Sequence, residues 1–179
     1  MRWPFADLWK EALPYKEFAE QAVEQKSLWT DGYRLAHVPR WAWDAAAELP
    51  ERYRLVVLAE DWCSDGANTV PLLAKWAALS PHLELRILPR DKYPQVMDRY
   101  LTGGLSRSIP VVIVLNEDMK ELGSWGPRPR ALNTWVQEQF ANGRAKQELL
   151  PEIRRWYIKD KGESVLREVL ALMPEPALL

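Results

Sequence analysis

The tightest constraint in this sequence is the run Leu55-Val56-Val57-Leu58, followed at once by the polar stretch Glu60-Asp61-Trp62-Cys63-Ser64-Asp65-Gly66. Four consecutive apolar residues preceded by Tyr53 read as a short strand covered on both faces, the kind of strand that sits in the middle of a layered α/β domain. Beyond the polar stretch Val70, Leu73, Ala74 and Ala77 recur at helical spacing, with Gly66, Ala67 and Asn68 in the first turn. Cys63, the chain's one cysteine, therefore falls where a buried strand gives way to a helix. A thiol there faces unpaired backbone N–H groups and the positive end of the helix dipole, both of which favour the thiolate.

The remaining patterns extend this arrangement on both sides. Leu83 to Leu88 alternates as a strand, with Glu84 and Arg86 on the opposite face and Pro89 ending it. Tyr93 to Leu101 reads as a helix with Val96, Met97, Tyr100 and Leu101 as its apolar stripe. Val111 to Leu115 reads as a strand that turns at Asn116-Glu117-Asp118 into a second, Lys120 to Trp125. Gly126-Pro127-Arg128-Pro129 suits the start of a helix from Arg130 to Ala141, with Leu132, Trp135, Val136 and Phe140 facing inward, and Asn142-Gly143 closes it. Residues 1–50 read as a helical extension. Tyr15, Phe18, Ala19, Ala22 and Val23 share one face, a turn is expected at Thr30-Asp31-Gly32, and a short helix from Trp41 to Leu49. Residues 144–179 read as a second extension, with helices over Gln147 to Lys159, where Pro151 is a candidate break, and over Glu163 to Met173. Pro174-Glu175-Pro176 predicts a frayed tail. Residues 51–143 remain as the central domain.

Several residues within that domain resemble the thioredoxin family. Trp62-Cys63, with Pro71 eight positions after the cysteine, resembles the active-site helix of that family; Ile109-Pro110, just ahead of Val111 to Leu115, looks like its cis-proline. Gly126 falls where the family keeps a glycine close to that loop. The wording EDWCSDG, RSIP and GSWGPRP is similar to a divergent branch of cytosolic bacterial thioredoxin-like proteins, over roughly Arg52 to Ala141. The resemblance implies a thioredoxin-like α/β fold, a central mixed sheet flanked by helices. It implies Cys63 as the nucleophile, with Trp62, Ser64, Asp65, Ile109 and Pro110 forming the surface that meets a substrate. The backbone of a cis Ile109-Pro110 would be free to pair with an extended segment of a partner.

Two departures alter what the resemblance implies. Cys63-Ser64-Asp65-Gly66 stands in place of Cys-x-x-Cys, so no intramolecular disulfide can form, and Val57 stands where thioredoxins hold a buried acid. The activity implied is thiol-disulfide exchange through one thiol, as a mixed disulfide with a protein or a low-molecular-weight thiol, a second molecule supplying the resolving thiol. The alternative is a binding module that uses the same groove without redox chemistry.

At single residues both a functional and a structural reading stand. Cys63 is either an accessible thiol or a small buried hydrophobe. Glu60, Asp61 and Asp65 oppose the helix dipole, so a modestly activated thiol is expected, its pKa below that of a free cysteine. Asp65 reads equally as a helix-start residue capping backbone donors, Trp62 as a cover for the strand end, and Arg107, Arg128 and Arg130 as groove-lining or merely solvated.

Charge and composition narrow the partners. With 24 Lys and Arg against 25 Asp and Glu, nothing favours broad attraction to nucleic acid or to an anionic membrane. His37 and His82 are far from each other and from Cys63 in sequence, and no phosphate-binding glycine motif occurs, so neither a metal nor a cofactor is expected. One cysteine, no apolar core for a signal peptide in MRWPFADLWKEALP and no run long enough to span a bilayer lead to an expected cytoplasmic location. Half of the ten tryptophans, Trp3, Trp9, Trp29, Trp41 and Trp43, lie in the first fifty residues, an aromatic supply expected to dock on the fold rather than on a partner. The oligomeric state stays open.

Overall fold

The structure, a computed structural model, describes residues 4–174. Trp3 and the frayed tail expected from Glu175 onward lie outside them. Strand β2, Tyr53–Ala59, is the element whose sequence most demands burial, and Leu55 to Ala59 are wholly inaccessible. It runs parallel to β3, Leu83–Pro89, and antiparallel to β4, Val111–Leu115. The two-residue β1, Leu13–Pro14, pairs with β3, and β5, Glu121–Trp125, pairs with β4, which gives the order β1-β3-β2-β4-β5.

Alternation along β2 sends side chains to two different cores. Leu55, Val57 and Ala59, with Ile87, Val112 and Val114, pack against helices on one face. These are α2 (Tyr15–Gln21), α3 (Lys26–Leu35), α4 (Arg40–Ala47), α5 (Ser64–Ala78) and the distant α9 (Glu163–Leu170). Val56 and Leu58, with Leu88, Ile113 and Leu115, meet α1 (Phe5–Glu11) and the short α6 (Pro94–Met97) on the other. A third cluster joins α7 (Arg130–Ala141) to α8 (Lys146–Asp160) through Leu132, Val136, Leu149, Ile153 and Tyr157. Each fully buried aliphatic side chain adds on the order of 1.5–3 kcal/mol, so the ten Val, Leu and Ile residues of β2, β3 and β4 just named contribute a large share of the stability.

The structure differs from the sequence reading where tertiary contacts override local pattern. Val23 is 86% exposed, because the Asp61 carboxylate takes the N–H groups of Val23 and Glu24 at 2.8 and 2.9 Å and ends α2 at Gln21. Thr30-Asp31-Gly32 is not a turn but the middle of α3; Gly32 lets that helix close on α5, since a Cβ there would stand 3.3 Å from Pro71 Cβ. The helix expected over Tyr93 to Leu101 is only Pro94–Met97, and the chain then turns so that Tyr100 hydrogen-bonds Glu121 and Asp98 pairs with Arg107. Pro151 does not break α8, which runs unbroken through it. Phe140 is 37% exposed rather than inward.

The tryptophans of the first fifty residues serve mostly as internal anchors. Trp29 is wholly buried and donates its Nε1–H to the Asp61 carbonyl at 2.8 Å. Trp9 lies under the guanidinium groups of Arg54 and Arg86, and Trp41 donates to Glu163 of α9 at 2.9 Å. Trp43 is 45% exposed.

Gly126 fixes the approach of the β5–α7 loop to the start of β4. Its φ is +130°, and a Cβ would press into the Pro110 carbonyl. Gly126→Ala should therefore lose at least about 3 kcal/mol, whereas Gly103→Ala, at φ +60° in open space, should lose about 1–2 kcal/mol. Urea unfolding of the two variants compares them directly, and equal losses would show that the loop yields at no cost.

Candidate functional site

Cys63 occupies the N-cap of α5, with extended backbone, and its sulfur accepts the Gly66 N–H at 3.4 Å. The thiol in turn donates to the Ile109 carbonyl at 3.3 Å, on the cis Ile109-Pro110 peptide that opens β4. A second cis bond, Gly126-Pro127, lies in the neighbouring loop. The sulfur thus bridges the start of a helix and the start of a strand, and Cys63 belongs to the same buried cluster as Val56, Leu58, Val96, Met97 and Val111.

Cys63 is 8% exposed. Burial pushes its thiol above the ordinary value; the Gly66 N–H pulls it down, the Asp65 carboxylate pushes it up, and Lys146 pulls it down. The direction corrects the expectation of a thiol more acidic than a free cysteine. Desolvation, invisible in the order of residues, outweighs the helix start.

Of the three acids expected to crowd the sulfur, two are turned to other work. Glu60 accepts the Asp91 N–H at 2.9 Å, and Asp61 holds the N–H groups of Val23 and Glu24. Asp65 is not a cap either. It is 7% exposed, pairs with Arg128 at 2.9 Å and accepts the Tyr157 hydroxyl at 2.8 Å. Burial first, then the Asp65 carboxylate, pushes the Tyr157 phenol up, so it stays a donor. Removing one partner of such a buried pair typically costs about 3–5 kcal/mol, because the other charge is left unpaired.

The remaining expected site residues divide between the rim and the interior. Trp62 is 41% exposed, with the Arg90 guanidinium 4.9 Å from its ring centre. Gln25 ties the turn from above, donating to the Trp62 carbonyl at 2.6 Å and accepting from Ser64 Oγ at 3.5 Å. Ile109 is 5% exposed and Pro110 is buried; the Ile109 carbonyl, expected to be free for a partner strand, is taken by the thiol. Arg107 is paired with Asp98, Arg128 is buried against Asp65, and Arg130 is exposed.

Gln25 and Tyr157 were not singled out from the sequence, and Trp29 only as one of the tryptophans expected to dock on the fold. Tyr157 is separated from Asp65 by 92 positions, and only the fold brings them together. Among the described residues no group of three or more His, Cys, Asp or Glu is arranged to hold a metal ion, and no helix is long and apolar enough to cross a membrane.

A sheet of this order, with one thiol on the first turn of the helix after its central strand and a cis-proline against the sulfur, defines a thioredoxin-type fold. The chain belongs to the thioredoxin family, whose family model, described as thioredoxin, matches residues 12–143. It is similar to the crystal structure of PA1234, a protein of unknown function from Pseudomonas aeruginosa, at 23% identity and a TM-score of 0.72, over 96% of this chain and 97% of that one. It is also similar to an HIV epitope scaffold at 22% identity and a TM-score of 0.70, over 93% of this chain and 95% of the scaffold. Both likenesses bear on fold alone. No curated protein matches the chain.

A thiol whose folded pKa is raised contributes stability that is whole below the unfolded value, about 8.5, and is lost as pH rises through the folded one. The advantage of the native protein over Cys63→Ala in urea should shrink above about pH 8.5. An advantage that grows with pH would mean the thiolate, not the thiol, is favoured in the folded state.

Proposed function

We propose that this protein exchanges thiols and disulfides through Cys63 alone, forming a mixed disulfide with a protein or a low-molecular-weight thiol. The observation that carries the reading is the position of the sulfur, on the N-cap of α5 between the Gly66 N–H and the Ile109 carbonyl. In the exchange the Cys63 thiolate attacks one sulfur of the partner's disulfide. The partner's S–S bond breaks as the Cys63–partner bond forms, and the departing sulfur leaves as a thiolate that takes up a proton. An external thiol then attacks the mixed disulfide and returns Cys63 to its reduced state. The compartment in this reading is the cytosol, where a lone thiol stays reduced.

A second reading is favoured by the 8% exposure of Cys63 and the upward push on its thiol: a binding module whose groove, not its sulfur, does the work. Binding that survives Cys63→Ser marks that reading. The first predicts covalent adducts. Because Cys63 is the one cysteine, no internal thiol can release a captured partner, and the native protein is its own trap. Non-reducing mass spectrometry of protein recovered from alkylated cells should find disulfide adducts at Cys63, absent from Cys63→Ser. Their absence under mild oxidative challenge sinks the redox reading.

Position 66 offers a gain-of-function counterpart. A Cβ placed on Gly66 would stand 3.7 Å from Cys63 Cβ, inside the range that disulfides use, with the edge of the Trp29 ring at 3.3 Å. Gly66→Cys should form an internal disulfide and raise dithiothreitol-driven insulin reduction at least tenfold over the near-background rate of the native chain, on the order of what restoring a resolving thiol supplies. A bridge that forms with no gain in turnover would locate the block in access to Cys63 rather than in the missing thiol.

A further inference from the structure

The proposal that follows rests on the reading of Cys63 as a working thiol, and concerns what sets its state. Asp65, Arg128 and Tyr157 come from three separate parts of the chain: the first turn of α5, the loop after the cis Gly126-Pro127 bond, and the middle of α8. They converge on one buried point. The Arg128 side chain is 10% exposed and the Asp65 side chain 9%, their contact is 2.9 Å, and the Tyr157 hydroxyl completes the Asp65 carboxylate at 2.8 Å. The Arg128 Nε is buried with no hydrogen-bond partner among the described residues. An arginine held in so dry a place with one donor unmatched is kept by its charge rather than by a full set of hydrogen bonds.

We propose that Arg128 and Tyr157 are positioning residues for Cys63, acting through the buried carboxylate of Asp65, so that helix α8 belongs to the thiol site. Tyr157 lies beyond the stretch 12–143 that the family model matches. The physical argument is a balance of charge. Asp65 is two residues from Cys63 and acts on it directly, disfavouring a thiolate; Arg128 offsets that charge, and Tyr157 fixes the carboxylate where the offset holds. The other charged groups around the sulfur are accounted for. Glu60 and Asp61 are held by backbone N–H groups, Arg90 lies over Trp62 on the rim, and Lys146, at the start of α8, favours the thiolate by its charge. Helix α8 thus brings both a cation and the Tyr157 hydroxyl to the site.

The single cysteine gives a clean readout: protein labelled at the cysteine Cβ with carbon-13 has one resonance whose shift follows the thiol through its titration, whether or not a reagent can reach it. Asp65→Asn should lower the midpoint by about one pH unit, roughly a tenfold change in thiolate fraction below it. Arg128→Gln should raise it by a similar amount, Tyr157→Phe should raise it by less, and Arg128→Lys should restore most of the native value. The double variant Asp65→Asn with Arg128→Gln should return near the native midpoint, because the two opposed shifts cancel as a balance of charge requires. A purely structural role would loosen the fold in every variant without opposed shifts. Unmoved midpoints in Asp65→Asn and Arg128→Gln, in protein whose remaining spectrum is native, overturn the proposal; so does a Tyr157→Phe midpoint identical to native. Opposed shifts without cellular adducts on Cys63 would leave the positioning intact and remove the redox reading. Adducts without shifts would do the reverse.

Discussion

Everything in this molecule hangs on β2 being buried on both faces. A strand with no solvent side must be covered twice, and the two coverings draw on different parts of the chain: α2 to α5 and α9 on one face, α1 and α6 on the other. Its hydrogen-bonding edges are also both taken, by β3 and β4. The consequence for the site is geometric. With β2 immobilised from every direction, the turn that leaves it at Glu60 has little freedom, and the first turn of α5 is delivered beside the start of β4, where the thiol meets the Ile109 carbonyl.

The chemistry of Cys63 is then a contest between the helix end and the dry surroundings that the same burial creates. One backbone N–H at 3.4 Å is a weak counterweight to nearly complete loss of solvent. The balance is adjusted from a distance by residues that no strand or helix of the central sheet contributes, Arg128 from a loop and Tyr157 from α8. A site that looks minimal along the sequence is assembled from four regions of the chain.

Much of this was legible in the order of residues, and the part that was not has a common cause. The apolar run at 55–58 reads as a covered strand, Val111 to Leu115 likewise, and Arg130 to Ala141 carries its boundaries in the proline before it and the Asn142-Gly143 after it. These are local signals, and the structure repeats them. What failed were readings at positions where a distant group decides. Asp61 ends α2 before Val23, and Gly32, read as part of a turn, lies inside a helix whose close approach to Pro71 of α5 leaves little room for a side chain. Asp65, left open between a helix-start residue and a site residue, does sit in the first turn of α5, but its carboxylate takes partners far along the chain. The thiol was placed correctly but its acidity was read in the wrong direction, since burial belongs to the fold as a whole.

The contact between Trp29 and Gly66 has an evolutionary reading. Trp29 belongs to α3, is wholly buried, and brings its ring to within 3.3 Å of the point where any side chain at 66 would begin. The two positions are therefore an epistatic pair: a larger residue at 66 is cheap only after the indole has shifted or shrunk, and a smaller residue at 29 opens a void unless 66 grows to meet it. A lineage carrying this tryptophan would acquire a second thiol at 66 most readily by two coordinated substitutions, on helices that neither composition nor spacing connects.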